Sequence, residues 1–202
     1  MSKKAVFLIV FFTVLVMGFY FALSAVIPGF TKKRIPPISR IEPFSFINQD
    51  GKRFTNEDMK GKVAIVNFFF TTCTSVCPRM NNNLKPIYRA FKNNPGVLFL
   101  SFTSDPQRDS AARLKRYADS MQVDTRRWIF LTGRKDSLYQ AARYSFKIDD
   151  PDNFVPNEKV DFLHTQFVAL VNKKCEVVKI YDGIKPSELK TMEEDIQNLL
   201  KD

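Results

Sequence analysis

The sequence predicts an α/β domain with a central mixed sheet flanked by helices, carried on a single apolar membrane helix. Two observations point to the domain. Four short runs, VAIVNFFF (63–70), VLFLSFT (97–103), WIFLT (128–132) and FVALV (167–171), are rich in β-branched and aromatic residues, and helical patterns separate or follow the first three. Runs of this kind read as buried strands, and their alternation with helices reads as βαβ crossovers around a largely parallel sheet. The tether rests on a third observation. Residues 5–27, AVFLIVFFTVLVMGFYFALSAVI, carry no charge, and about 20 apolar residues suffice to cross a hydrocarbon core as a helix.

Taken in order, residues 1–4 form a short leading segment expected on the cytoplasmic side. Lys3 and Lys4 precede the apolar run, and Lys32, Lys33, Arg34 and Arg40 follow it, so counting flanking charge does not orient the helix. The short leader and the layout of basic start and apolar run, shared with export signals, put the amino end inside. Ala22-Leu23-Ser24 has the small residues of a cleavage site, but the run exceeds the usual h-region, so an uncleaved anchor is expected. Without an Arg- and Ser-rich transit segment, the context is bacterial export. This implies a single pass through the inner (cytoplasmic) membrane with the domain on the periplasmic or outer side. Residues 28–41, PGFTKKRIPPISRI, mix Pro, Gly and basic residues without periodicity and read as a semi-extended linker.

The domain proper is expected over 42–202. FSFIN and KRFT flank Gln49-Asp50-Gly51, a turn signature between short strands, and TNEDMKG resembles a brief helical turn. Helices are predicted over about 78–92, 109–121 and 136–144 from the apolar periodicity. After FVALV, Asn172-Lys173-Lys174 turns the chain into EVVKIYDG, and a helix over about 186–200 closes it. A βαβ half followed by ββα is the thioredoxin order, here with an amino-terminal β-hairpin extension.

The bulk numbers agree with one domain and an appendage: 202 residues, 45% hydrophobic. Thirty-one Lys and Arg against 21 Asp and Glu give a formal charge of +10, which suits acidic partner surfaces or anionic headgroups. The basic residues are scattered and match no nucleic-acid motif, so nucleic acid is not an expected partner. Three cysteines are too few for a disulfide framework, and the single histidine, His164, is the one imidazole available.

Cys73 and Cys77 follow the VAIVNFFF strand, at the carboxyl end where α/β sheets put their sites. Pro78 belongs in a first helical turn, so Cys77 is expected at a helix start whose free N–H groups and dipole lower its thiol pKa. A disulfide needs an S–S distance of about 2.05 Å, and bonds of roughly 2.2–2.3 Å to a shared metal hold the sulfurs nearly twice as far apart. The three-residue spacing has room for both states. His164 stands just before a strand that runs antiparallel to VAIVNFFF in the thioredoxin order, which brings it beside the cysteine loop. Two thiolates and an imidazole suit copper, Cu(I) through sulfur and Cu(II) with nitrogen as well. Zinc in a structural site takes four protein ligands and is the poorer match.

The stretches NFFFTTCTSVCPRMNNNL, SFTSDPQRD, WIFLTG and FLHTQFVALV resemble the Sco/SenC proteins over nearly the whole soluble domain and include the anchor. The resemblance implies a thioredoxin-like fold and a role in assembling the copper centre of cytochrome c oxidase. It puts the three metal ligands on Cys73, Cys77 and His164, with the thiols also redox-active. Expected partners are the copper-receiving oxidase subunit, other copper chaperones and thiol reductants. Two positions depart from the pattern: Leu163 where many relatives have Asp before the ligand His, and Lys173-Lys174-Cys175 in place of an acidic, glycine-containing turn.

Cys175 is expected about 20 Å from His164, counting 3.3 Å per strand residue, and reads as a free surface thiol. Asp105 and Asp109 follow a strand's carboxyl end, where turn or cap chemistry competes with flanking the copper loop or meeting a partner. The leading function is a metallochaperone, not a turnover enzyme. The alternative is a tethered thiol:disulfide oxidoreductase that reduces the cysteines of a copper-site protein. Leu163-His164-Thr165 stands where thioredoxins have a peptide-binding proline, which favours metal. FFFTTC lacks the proline-threonine approach of a peroxiredoxin.

Overall fold

The computed structural model describes residues 2–26, 36–149 and 165–201. It has two compact units, residues 1–35 and 36–202. The first contains helix α1, Lys3–Val26, 24 residues with none buried. It is long and apolar enough to cross a membrane. Two of its hydroxyls are satisfied within the helix: Thr13 Oγ1 donates to the Ile9 carbonyl at 2.7 Å and Ser24 Oγ to that of Phe21 at 2.8 Å. Such back-bonding lets a hydroxyl sit in an apolar medium without an unpaired donor.

The second unit is a sheet of eight strands: β1 (Ser39–Arg40), β2 (Ser45–Asn48), β3 (Arg53–Thr55), β4 (Val63–Phe69), β5 (Val97–Thr103), β6 (Trp128–Thr132), β7 (Phe167–Val171) and β8 (Glu176–Asp182). Their spatial order is β1-β8-β7-β4-β5-β6-β2-β3. β4, β5 and β6 are parallel, and β7 runs antiparallel to β4 with Asn67 opposite Val168. The central runs are buried along their whole length because both faces are covered. On one face pack α2 (Val76–Phe91), α3 (Ala111–Met121) and α5 (Pro186–Lys201), meeting Val63, Ile65, Phe69, Phe99 and Trp128. The other face carries a 3-10 turn over Asn56–Met59 and α4 (Lys135–Gln140) with the turn after it; Phe46 and Phe54 of the β2–β3 edge hairpin, Met59, Leu138 and Phe146 share its core with Val66, Phe68 and Phe102.

The predicted mixed sheet, hairpin extension and closing ββα are all present. The differences have local causes. The helix expected from 109 starts at Ala111 because Ser110 caps it, accepting from the Arg113 N–H at 3.4 Å. The helix expected over 136–144 is α4 followed by one π turn, Ala141–Ser145. The stretch read as linker to residue 41 ends in the sheet: Ile38 N–H bonds the Val177 carbonyl at 2.7 Å, Ile41 N–H that of Cys175 at 2.9 Å, and Ile41 is buried. Residues 28–35 lie outside the described residues. Gly133 follows β6 where the hairpin crosses, and a Cβ there would meet the Phe46 ring at 2.6 Å, so only glycine allows this approach.

Candidate metal centre

β4 ends at Phe69, and residues 70–75 carry the chain to α2, which begins at Val76. Cys77 and Pro78 therefore fall in the first helical turn, as their spacing predicts. Cys73 is partly exposed, Cys77 is buried, and both are free thiols. The Cys73 N–H turns back to the Phe70 carbonyl at 3.2 Å. The Cys77 N–H, one of the donors a helix start leaves without an intrahelical partner, points at Cys73 Sγ, 3.4 Å away.

That contact reverses the expected roles of the two thiols. Burial alone raises the Cys73 pKa, but hydrogen bonds from the Cys77 thiol and N–H and from the Ser75 N–H and hydroxyl outweigh it, so Cys73 lies below the ordinary thiol value. Cys77 is pushed up to about 12, first by burial and then by the neighbouring Cys73. The helix start thus activates the sulfur four residues before Cys77, because the thiol of Cys77 itself turns inward among Phe69, Met80 and Tyr181. Iodoacetamide at neutral pH is expected to modify Cys73 first, with Cys77 and Cys175 protected until the protein unfolds. Peptide mapping checks this, and equal labelling of Cys73 and Cys77 in the folded protein contradicts it.

Phe68, Phe69, Phe70, Cys73, Val76, Cys77, Thr165 and Gln166 line one cavity of about 240 Å³. This is smaller than the roughly 300–1,000 Å³ of a small-molecule site. Thr165 and Gln166 are held on its far wall. Thr165 Oγ1 donates to the Ile148 carbonyl at 2.8 Å, Gln166 Nε2 donates to Asp182 at 2.9 Å, and the Gly183 N–H donates to the Gln166 carbonyl at 2.8 Å. A Cβ on Gly183 would stand 2.8 Å from that carbonyl and 2.7 Å from Met80, so this approach too needs glycine. His164 and Leu163 lie outside the described residues. Among the described residues no three His, Cys, Asp or Glu side chains form a metal-holding group. A wider depression of about 750 Å³ over α4 offers Arg134, Lys135, Tyr139 and Arg143, and no soft donor.

The family model of SCO1/SenC matches residues 33–201. The chain belongs to the SCO1/SenC family. It is 31% identical over 160 residues to a SCO1 protein homolog of Bacillus subtilis, covering 78% of this chain and 81% of that one. The structure of BsSco, a member of the Sco family of cytochrome c oxidase assembly proteins in which a disulfide switch was identified, superposes with a TM-score of 0.70. That match has 29% identity and covers 84% of this chain and 99% of the other. Yeast Sco1 with copper bound gives a TM-score of 0.60 at 26% identity, over 81% of this chain and 93% of the other. Sco proteins share the thioredoxin-like sheet described above, and copper-bound structures are known for several of them.

Set in the SCO1/SenC domain, the remaining residues sort as follows. Cys175 is not a surface thiol: it is 6% exposed. It sits in the β7–β8 turn at a φ of 60° and points its sulfur at the Asn56 carbonyl, 3.7 Å away. It packs in the cluster on the sheet face opposite Cys77, so the expectation that it is remote from the pair stands. Asp105 closes a turn, its carbonyl accepting from the N–H of Arg108 at 3.1 Å and of Asp109 at 2.9 Å. Asp109 is fully buried.

The reading of motifs missed a buried polar chain beneath the site. Trp128 Nε1 donates to Ser101 Oγ at 2.8 Å, Ser101 to Asn67 Oδ1 at 2.6 Å, Asn67 Nδ2 to Asn81 Oδ1 at 3.0 Å, and Asn81 Nδ2 to the Tyr117 hydroxyl at 2.9 Å. Asn81 lies one helical turn beyond Cys77, on the same face of α2. Burial raises the Tyr117 pKa, the Asn81 bond opposes this, and negative charge on Cys77, Cys73 and Asp109 adds to the rise, so the phenol lies within electrostatic reach of the thiols. The available signal was a polar residue inside each of two largely apolar strands, Asn67 in β4 and Ser101 in β5.

Proposed function

We propose that this chain is a membrane-anchored copper metallochaperone that holds one copper ion through Cys73, Cys77 and His164. It passes the ion to the copper-receiving subunit of cytochrome c oxidase during assembly of that centre. Residues 1–4 are cytoplasmic, 5–27 cross the bacterial inner membrane, a short linker follows that ends where Ile38 joins the sheet, and the domain from there to residue 202 acts on the outer side. The observation that carries this reading is the shared cavity: two free thiols line one wall, and Thr165, the residue directly after His164, lines another. Two thiolates suit Cu(I), and an imidazole added to them supports Cu(II). Copper-bound structures of relatives at 25% identity or above support copper as the metal. Copper, when bound, supplies the cargo. The chain's own part is to present two sulfurs just past the end of β4 and to favour the thiolate form of Cys73.

Full-length protein in detergent is expected to take up one copper per chain when reduced and none when Cys73 and Cys77 are joined, since disulfide sulfurs are not the ligands. Equal uptake by both forms, measured by metal analysis after desalting, refutes the reading.

The difference between the two thiols favours a second activity at the same site. Cys73, partly exposed and lowered in pKa, is suited to attack a partner's disulfide. Cys77 then displaces the partner's second sulfur, leaving a Cys73–Cys77 disulfide and two reduced partner thiols. A thiol reductant would restore the pair.

A further inference from the structure

The cysteine loop is tied to the neighbouring strand end by one carboxylate. Asp109 is 0% exposed. It accepts from the Thr71 N–H at 3.0 Å, from the Thr71 hydroxyl, and from the Thr103 hydroxyl at 2.6 Å. Arg113 Nε stands 3.5 Å from the carboxylate and donates to Thr71 Oγ1 at 2.6 Å. The backbone of this segment is also closed, with the Asp109 N–H on the Asp105 carbonyl at 2.9 Å and the Asp105 N–H on Thr103 Oγ1 at 3.0 Å. Three elements thus meet at Asp109: the end of β5, the start of α3, and the loop two residues before Cys73.

A buried charge is poorly justified by stability, since an apolar replacement of the same shape often does as well. A carboxylate does, however, fix the direction of each donor that it accepts. Here two of those donors belong to Thr71. With Thr71 held from one side and the Cys73 N–H turned onto Phe70, the loop has little freedom to change how the Cys73 sulfur faces Cys77. Both are free thiols here, and a disulfide demands an S–S distance of about 2.05 Å with a fixed dihedral, so the arrangement of the Cys73 side chain and its loop must change for the bond to form.

We infer that Asp109 is a positioning residue of the cysteine site: acting through Thr71, it holds the loop in its dithiol arrangement and so sets the dithiol–disulfide equilibrium of Cys73 and Cys77. The inference rests on reading this pair as the working site.

The test equilibrates full-length protein in detergent with reduced and oxidised glutathione, in which oxidation of the two thiols to one disulfide reduces one oxidised glutathione to two thiols. The Cys73–Cys77 disulfide is quantified by mass spectrometry. Asp109→Asn keeps the shape but offers one oxygen to three donors, and Thr71→Val removes only the hydroxyl. Both are expected to shift the equilibrium constant toward the disulfide by about tenfold, about 30 mV for this two-electron couple. Thr71→Ser, which keeps both donors, should return the wild-type value. If Asp109→Asn melts earlier but has an unchanged equilibrium constant, Asp109 is only structural and the inference falls. Should Asp109→Asn fail to fold, a wild-type constant in Thr71→Val overturns it equally. Copper uptake by the wild-type protein is measured in parallel. Its absence would remove the metallochaperone reading and leave the shift in equilibrium as an independent result.

Discussion

Cys73→Ser and Cys77→Ser are each expected to lower Cu(I) affinity by roughly 10²–10³-fold. The scale comes from structural zinc sites, where four ligands share about 10–16 kcal/mol, or about 2.5–4 kcal/mol per ligand. Serine matches cysteine in shape and stays protonated at neutral pH, so the sulfur donor is lost without a large change in packing. The two variants differ in what else they do. Cys77 is 5% exposed within the α2 core face, and a hydroxyl there must find a partner or cost about 1–3 kcal/mol. Cys73 is partly exposed and its replacement should leave unfolding unchanged, which makes it the cleaner variant. His164→Ala should weaken Cu(II) more than Cu(I), because two thiolates still satisfy the softer ion. Competition titration with a Cu(I) chelator reads the first effect and Cu(II) absorption the second. Wild-type Cu(I) affinity in Cys73→Ser would show that the pair is not the metal site.

Sequence carried the architecture further than it carried the thiols. The strands were legible because a parallel sheet covered on both faces leaves nearly unbroken apolar runs, as in VLFLSFT, whose bounds the structure reproduces. Pro78 correctly put Cys77 in a first helical turn. Which sulfur the helix start would serve depended on the direction in which each side chain leaves the backbone, and no motif records that. Cys175 misled for a related reason. Its neighbours Lys173 and Lys174 suggest a solvated turn, but a φ of 60° swings the cysteine side chain inward. Asp109 was weighed as a cap. Ser110 takes the cap, which leaves the carboxylate to be buried against Thr71.

Asn67 shows most plainly what pattern alone leaves out. In VAIVNFFF it is one polar residue in a core strand, and Ser101 is one of two in VLFLSFT; only the parallel register, which sets Asn67 beside Ser101, makes them partners. Both are essentially unexposed. Asn67→Leu keeps the branched shape with slightly larger methyl ends but strands the Ser101 hydroxyl and the Asn81 side-chain oxygen, each of which costs about 1–3 kcal/mol when buried and unpaired. The expected loss in urea unfolding of the 36–202 unit is about 2–4 kcal/mol, with no change in m-value. Ser101→Ala should cost a similar amount, since it too strands two groups, Trp128 Nε1 and the Asn67 side-chain oxygen, each costing about 1–3 kcal/mol. The double variant removes both partners of one bond, which is less costly than orphaning either. Its loss should fall short of the sum of the singles by about 1 kcal/mol, within the range measured for contacting residues. Strict additivity would mean that Asn67 and Ser101 contribute separately and that the chain from Trp128 to Tyr117 does not act as one network. Because Asn81 stands one turn beyond Cys77, Asn67→Leu should also loosen the start of α2. Faster iodoacetamide labelling of Cys77 in Asn67→Leu, at a denaturant concentration where the unit is still folded, would connect the core network to the thiol that it supports.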